Sequence, residues 1–468
     1  MAGAGTTVER LRQFLRELSP QARSLLIGEL ERSMLRGDDM SGLDLVLQEL
    51  RLLSREQREG EPRIDHSARL FFKPLETFLV DDRADHKHSG RIARPAMEPL
   101  WTFIGRDLLP EESKSFADEV GEALLSGDQE KADMLARTFQ DRVAAAVDTV
   151  FSSPDNQKIQ RRMLAQIGTP RAREDLATLK TVLKGRDVLA AVASNLPLRI
   201  GNLGAEQITR YKALLDSVAA RGGDLFLYSL LTVMSRLSAP WQLIRFGVKA
   251  AGSDTAARVA ETQYGVTVNI VLAELERLVG ELRNDLRSGQ GVAVGALLKT
   301  IHDSARGLRT ELDLPVDSTW GRTLAAQRAQ IADLLRAEIE SMPGRVRRLL
   351  RPRPANEIKP NTTLDLDEVA ETVALVELVG NCRYFAGELA LNEMTQRSFS
   401  ELQQCLDSGT RALLEGLRQA GEGDRTFRQS QIDAAAKLCA KVFGKDYAVM
   451  LGKAAEAAAA APRKAGRS

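Results

Sequence analysis

The sequence predicts an all-α protein: a multi-helix bundle or irregular helical array with short connectors and no significant sheet. Apolar residues recur at spacings of three and four along almost the whole chain, which places them on one face of successive helices. Period-two alternation of strand length is hard to find. Helix-starting chemistry also recurs between these stretches, as where Ser19 precedes Pro20, Thr169 precedes Pro170, and two glutamates follow Pro110.

Residues 1–60 are expected to form an N-terminal helix cluster of three short helices. Gly37 stands where the second helix should end, because glycine readily adopts the left-handed conformation found after helix C-termini. The apolar positions that define the three helices are Leu11, Phe14 and Leu15, then Leu25, Leu26, Leu30 and Leu35, then Leu43, Leu45, Leu47, Leu50 and Leu53.

Residues 61–342 are expected to form a larger central helical body. Its clearest helix runs from Asp128 to Val150, where Leu135, Phe139, Val143 and Val147 follow one another at four-residue spacing and so share a stripe. Further helices are predicted at 173–184, 185–196, 204–220, 224–237, 240–250, 254–287, 292–311 and 319–340.

A connector rich in proline and arginine is predicted at residues 343–362, because Pro343, Pro352, Pro354 and Pro360 disfavour a continuing helix. A C-terminal helical bundle at 363–455 should follow it. Asp365 and Glu368 have the D-x-x-E form of a capping box, so the first helix of this bundle is predicted to begin there. The alanine-rich, basic end at 456–468 should form a flexible tail.

Composition places the chain among ordinary folded proteins, since 43% of residues are hydrophobic and 28% are charged. Its 468 residues exceed the roughly 250 to 300 at which one core stops growing, so two or three folding units are expected. The net charge of +1 gives no global footprint for nucleic acid or an anionic membrane. Three cysteines without a CxxC pair, and an N-terminus without an apolar signal segment, favour the cytoplasm.

The first candidate site is the segment from Asp81 to His88. Asp85, His86 and His88 form the proposed metal set, because imidazole and carboxylate ligands together suit zinc, manganese or iron. The spacing matches no helical metal motif. The competing interpretation is a charged, solvated loop between a helix ending near Val80 and one beginning near Pro95. No other cofactor is predicted.

Aromatic residues cluster on both sides of this segment. Phe71, Leu75 and Phe78 share one helical stripe, and Leu100 and Phe103 share another. Two helices that pack into a core require such stripes, whereas a groove for a partner helix would use the same residues. Core packing is the preferred interpretation.

The stretch 224–252 is apolar but too short to cross a bilayer. Its longest uncharged run, from Leu225 to Ser235, spans about 16 Å as a helix, against a hydrocarbon thickness of about 30 Å. Basic residues beside Trp241 and Phe246 are typical of a helix that lies in the surface of a membrane, which is one interpretation of this stretch. Burial in a large helical body is the preferred alternative, because Pro240 splits the segment.

The second candidate interaction site lies in the connector, where Arg347, Arg348 and Arg351 head a local cationic patch able to meet an acidic protein or phosphate. No aromatic residue is interleaved to stack a base, so nucleic acid is not the expected partner. Residues 364–380 carry five acids and no base, so the patch is also explained by local charge complementarity.

No motif for catalysis is found. The glycines of SGQGVAVGALLKT lack the lysine that a P-loop needs directly after its last glycine, and His302 lies among apolar residues as a helix-packing side chain would. We therefore expect a cytoplasmic scaffold or adaptor that binds other proteins. A metal-binding enzyme or sensor and a peripheral membrane protein are the alternatives, and the sequence leaves the oligomeric state open.

Overall fold

The computed structural model describes residues 66–81, 89–152, 157–287, 291–359 and 362–460, together with isolated positions between Phe14 and Leu50. The predicted all-α class is confirmed. The described residues contain a single two-stranded parallel sheet, in which Leu79 is opposite Ile92 and Val80 is opposite Ala93.

The helices up to residue 260, with the two strands, follow in chain order. They are α1 (Ser67–Phe72), β1 (Leu79–Val80), β2 (Ile92–Ala93), α2 (Met97–Phe103), α3 (Pro110–Leu125), α4 (Gln129–Ser152), α5 (Gln157–Ile167), α6 (Ala172–Ser194), α7 (Ala205–Ala219), α8 (Leu225–Met234), α9 (Ile244–Ala251) and α10 (Ala256–Ala260).

The remaining helices follow residue 260. They are α11 (Val266–Arg287), α12 (Gly291–Glu311), α13 (Thr319–Leu349), α14 (Leu366–Tyr384), α15 (Ala386–Leu389), α16 (Asn392–Arg418), α17 (Glu422–Val442) and α18 (Lys445–Ala460). Short 3₁₀ turns occupy Lys73–Phe78, Arg94–Ala96, Pro240–Leu243, Gln263–Gly265 and Ala355–Glu357, and a π-helical turn occupies Ile104–Leu108.

The chain divides into two compact units. The central unit comprises Ile64–Gly280 and Asp303–Gln327, and the second, here called the C-terminal unit, comprises Met1–Arg63, Glu281–His302 and Arg328–Ser468. The division falls within α11, α12 and α13. The domain boundaries predicted from the sequence, including those of the connector at 343–362, stay predictions.

Two helix starts agree with the predicted chemistry. Helix α3 begins at Pro110, which lacks the N–H that a first helical residue would leave unpaired. Helix α14 begins after Asp365, whose carboxylate accepts hydrogen bonds from the backbone N–H groups of Asp367 (2.9 Å) and Glu368 (3.2 Å). Both helix starts are therefore determined by the local sequence.

Two predicted helix boundaries, at Gly185 and at Pro343, are wrong. The segments 173–184 and 185–196 form the single helix α6, in which a β-carbon at Gly185 would overlap Leu225, so the glycine allows α8 to approach closely. Helix α13 continues through Pro343 to Leu349 instead of ending at the proline. Burial of apolar residues in this last part, among them Met342 and Val346, offsets the lost hydrogen bond.

The predicted helix 254–287 is broken by a turn. Helix α10 ends at Ala260, and a turn then carries Tyr264 into the core, where its hydroxyl donates to Asp216 Oδ1 at 2.7 Å. Likewise, the helix expected to end near Val80 ends at Phe72, because Pro74 has no N–H for a further turn. In both cases a tertiary contact or a proline overrides the apolar spacing.

The aromatic residues of the early sequence pack in the core of the central unit, as preferred. Phe71 and Leu75 are fully buried, and the ring of Phe71 lies 5.5 Å from Trp101 and 5.4 Å from Phe139. Phe139 also stacks on Phe116 at 4.5 Å. The cluster joins α1, α2, α3 and α4.

Ion pairs connect α4 to α6 along the antiparallel pair. Arg137 binds Asp187 at 2.8 Å, and Asp141 binds Arg186 at 2.6 Å. Further along, Asp148 binds Lys180 at 2.8 Å and also Lys184. Because opposite charges meet at successive positions, these pairs favour one register of the two helices.

Helix α16 is the longest amphipathic helix of the C-terminal bundle. Leu402, Leu406, Leu413 and Leu417 are buried at spacings of four and seven, and the helix packs against α17 and α18. Helix α17 also contacts α14. The residues that directly follow α13 are held against this bundle.

Candidate functional site

The predicted metal ligands Asp85, His86 and His88 lie outside the described residues, so the metal hypothesis stays a prediction. The flanks of the segment are described. On one side, Asp81 Oδ1 accepts from Arg94 Nε at 3.0 Å. On the other, Gly90 has a φ of 74° and packs against Leu231, a position that a larger residue would not fit.

The two described histidines serve structural contacts. His66 caps α1, because its Nδ1 accepts from the backbone N–H of Arg69 at 3.4 Å. The ring of His302 lies 4.8 Å from Phe385, as expected of a helix-packing histidine. Within the described ranges, no group of three or more histidine, cysteine, aspartate or glutamate side chains is arranged to hold a metal ion.

The proposed membrane-facing residues differ in exposure. Phe246 is fully buried and its ring lies 6.4 Å from Tyr264, so it does not reach the surface. Trp241 is half-buried, with the Arg245 guanidinium over its ring at 5.1 Å. Among the helices that the structure describes, none is long and apolar enough to span a membrane.

Two of the three predicted connector arginines are neutralised by the protein's own acids. Arg347 donates to Glu401 Oε1 at 2.8 Å, and Arg348 donates to Glu368 Oε1 at 2.7 Å. Glu368 is one of the five acids of the neighbouring acidic stretch. The interpretation of local charge complementarity therefore holds for these two arginines.

The third arginine lies at the start of an extended cationic segment, Arg351–Lys359. Arg351, Arg353 and Lys359 are exposed, and no ion pair joins Arg351 to another residue in the described parts of the chain. The guanidinium of Arg353 lies over the ring of Phe427 at 5.1 Å. The guanidinium of Arg353 is therefore held against the Phe427 ring, and Arg351 precedes it by two residues.

The backbone of the cationic segment is held at its start by α17. Gln431, which is 1% exposed, donates from Nε2 to the carbonyl oxygen of Arg351 at 3.1 Å. Near its other end, Lys359 donates from its N–H to Thr362 Oγ1 at 2.9 Å. Gln431 and Phe427 follow the segment by about 80 residues, so no local pattern could have identified their role.

A cavity of about 300 Å³ lies in the central unit, between α1 with the turn that follows it, α4 and α6. Its apolar walls include Leu70, Phe78, Ala136, Leu189 and Ala190. Charged residues at its edge are paired, Lys73 with Asp133 at 3.2 Å and Arg137 with Asp187 at 2.8 Å. Sequence reasoning missed this cavity, because its walls are spread over more than a hundred residues.

Two of the residues that line the cavity carry unsatisfied polar atoms. Gln140 donates from Nε2 to the carbonyl oxygens of Leu70 (3.3 Å) and Phe71 (2.9 Å), while its buried Oε1 has no hydrogen-bond partner among the described residues. Arg186 binds Asp141 through both terminal nitrogens, while its buried Nε has no such partner in the same part of the chain. Such atoms are rare in folded proteins and call for an explanation.

Burial controls the ionisation of the remaining reactive groups. It raises the pKa of the Cys382 and Cys439 thiols to about 12, so neither is a thiolate nucleophile at neutral pH. Cys405 is partly exposed and lies 3.5 Å from an Arg347 terminal nitrogen. Burial also raises the pKa of the Asp175 carboxyl to about 6.

Comparison of the chain with models of known protein families, with curated proteins and with solved structures finds no match. Function is therefore inferred from the geometry of the chain's own residues, above all from the cationic segment of the C-terminal unit.

Proposed function

We propose that the protein is a helical adaptor that binds an acidic protein partner through the cationic segment Arg351–Lys359. The observation that supports the proposal is the contrast among neighbouring arginines. Arg347 and Arg348 are paired with the protein's own acids, whereas Arg351 is exposed and joins no ion pair with a described residue. An exposed guanidinium is available to a carboxylate of another protein.

The segment is preorganised for such a contact. Hydrogen bonds from Gln431 and to Thr362 hold its backbone, and the stack on Phe427 orients Arg353. A segment that is already ordered loses less conformational entropy when a partner binds. Arginine fixed on an aromatic ring is also a common energetic centre of protein interfaces.

A protein partner is favoured over nucleic acid by the side chains beside these cations. The exposed positions of the segment carry no aromatic ring on which a base could stack. Among the described residues, the aromatic ring in contact with the segment is Phe427, which is 4% exposed and already covered by Arg353. Bidentate contact with carboxylates needs only the guanidinium groups themselves.

Charge reversal at the segment tests the proposal. The double variant Arg351→Glu, Arg353→Glu should lose a defined partner when the full-length protein is recovered from its own cells and bound proteins are quantified by mass spectrometry. The matched control is Arg142→Glu, Arg210→Glu, which makes the same charge change at two exposed arginines of the central unit. This control should retain the partner.

The contrast between the variants decides the outcome. Recovery of the same proteins with both double variants and with the wild type contradicts the proposal. Loss of nucleic acid, rather than protein, from the segment variant also contradicts it. Circular dichroism of both variants shows that the helical fold is retained.

A further inference from the structure

Proline alternates with arginine at the start of the cationic segment. Residues 351–354 have the sequence Arg-Pro-Arg-Pro, and all four are exposed. The rings of Pro352 and Pro354 fix the backbone φ of these residues at about −65°, and a residue that precedes a proline is disfavoured from the helical conformation. The four residues therefore favour the polyproline II helix, which is extended, has about three residues per turn and forms no internal hydrogen bonds.

The hydrogen bonds around residues 351–354 agree with this form. The four residues belong to neither helix nor strand, and in the described part of the chain no backbone hydrogen bond joins one of them to another. The backbone N–H of Arg351 donates to the carbonyl oxygen of Arg348 (3.4 Å), and the carbonyl oxygen of Pro354 accepts from Glu357 (3.0 Å). Gln431 of α17 holds the Arg351 carbonyl oxygen at 3.1 Å. The bundle thus supports these residues from outside.

Only one edge of this helix is directed towards the protein's own bundle. In a polyproline II helix every third residue lies on the same edge. The edge of Arg353 faces α17, because its guanidinium lies over the Phe427 ring at 5.1 Å. Arg351 and Pro354 share a second edge, and Pro352 lies on the third. The two outward edges therefore present two exposed proline rings and the Arg351 guanidinium.

We propose that the partner binds residues 351–354 as a polyproline II ligand, in a groove lined by aromatic side chains and bordered by carboxylates. This inference rests on the proposed adaptor function and specifies the class of its partner. The aromatic rings of the groove pack against Pro352 and Pro354, and a carboxylate at its border binds Arg351. Polyproline II segments suit such grooves because their backbone is ordered before binding.

The prolines are what distinguish this partner from a merely acidic surface. An acidic surface needs only the guanidinium groups and is indifferent to the residues between them. A groove that packs on proline rings loses apolar contact area when the rings are removed, even though every charge remains. Removal of the prolines alone therefore separates the two kinds of partner.

The variant Pro352→Ala, Pro354→Ala makes this change and keeps all the arginines. Full-length protein is recovered from its own cells, and bound proteins are quantified by mass spectrometry. Recovery of the partner should fall at least fivefold. The matched control is Pro170→Ala, Pro197→Ala, which removes two exposed prolines of the central unit and should leave recovery unchanged. Circular dichroism shows that both variants keep the helical fold.

A second measurement distinguishes ring contact from simple stiffening of the segment by its prolines. The recovered partner is produced with isotope labels on its aromatic side chains and titrated with unlabelled full-length protein. Wild-type protein should cause saturable shifts of a group of aromatic resonances, and the Pro352→Ala, Pro354→Ala variant should cause none at the same concentrations. Stiffening alone would leave the partner's rings unshifted.

Three results overturn the inference. The first is full recovery of the partner by the Pro352→Ala, Pro354→Ala variant. The second is an equal loss of the partner from the control variant, and the third is binding without shifts of the partner's aromatic resonances. If Arg351→Glu, Arg353→Glu still abolishes recovery in the first case, only the groove is refuted and the proposed adaptor function stands. If that charge reversal leaves recovery unchanged, the adaptor function itself fails.

Discussion

At the scale of single residues, Asp175 shows how burial can work against stability. Its side chain is 3% exposed near the start of α6, and burial raises its pKa to about 6, against an ordinary value near 4. The folded state therefore holds the proton more tightly than the unfolded state. Stability falls as the pH rises from about 4 to about 6, and the penalty is complete above that range.

Asp175→Asn should stabilise the protein near neutral pH, because the amide removes the buried charge. We expect a gain on the order of 1 kcal/mol near pH 7, less than the full electrostatic penalty because a buried amide also loses hydrogen bonds to water. The gain should disappear at about pH 3, below both pKa values, where the aspartate is protonated in both states. Unfolding by urea at the two pH values measures it, and an equal effect at both values would contradict the assignment.

The buried glutamines mark the limit of sequence reasoning at this scale. Gln140, Gln327 and Gln431 each donate from Nε2 to a backbone carbonyl of another part of the chain, and within the described ranges the Oε1 of each has no hydrogen-bond partner. On the sequence alone each reads as an ordinary polar residue of a helix surface. Their partners are 55 to 80 residues away, so no local pattern predicts these bonds.

At the scale of elements, helix existence was predictable and helix boundaries were less so. Apolar spacing and capping residues correctly identified α3, α4 and α14, because these signals are local. Gly185 and Pro343 indicated breaks that do not occur. In both cases tertiary packing, against Leu225 or around Met342 and Val346, outweighs the local preference.

The same competition predicts opposite effects for two glycine substitutions within helices of the central unit. In α12, a β-carbon at Gly307 would overlap the Trp241 indole, and the cost of overpacking, about 1 to 3 kcal/mol, should exceed the gain in helix propensity of about 1 kcal/mol. In α3, apart from the adjoining residues and the helix's own backbone, no described atom lies within 4 Å of a β-carbon at Gly121. Gly307→Ala should therefore destabilise the protein, whereas Gly121→Ala should stabilise it.

Thermal unfolding of the two variants and of the wild type measures whether each substitution raises or lowers the stability. Trp241 fluorescence provides a second readout, because only the Gly307 variant displaces the indole. Stabilisation by Gly307→Ala would show that Trp241 is not seated against α12 as described.

At the scale of the whole molecule, the fold class was predictable, whereas the candidate interaction site was predictable only in part. Helical periodicity is repeated in almost every segment, so errors in single elements leave the class unchanged. The cationic segment was identified from its composition, and Arg351 was among the residues named. Which arginines stay unneutralised depends on Glu368 and Glu401, whose positions are set by the packing of the C-terminal bundle.

The cavity was not predictable for a similar reason. Its walls come from segments between Leu70 and Thr232, and none of them carries a motif. The unsatisfied atoms of Gln140 and Arg186 become visible only when the helices are packed. The cavity therefore depends on long-range contacts that periodicity alone does not specify.

Photo-crosslinking from the cationic segment tests the central claim most directly. A benzophenone amino acid replaces Asn356, an exposed residue within the segment, and in a second variant replaces Glu206, an exposed residue of α7. Irradiation in the protein's own cells should give a protein adduct of defined mass from position 356 alone, and Arg351→Glu with Arg353→Glu should abolish it. No adduct at 356, or the same adduct from both positions, would contradict the claim that this segment binds an acidic protein partner.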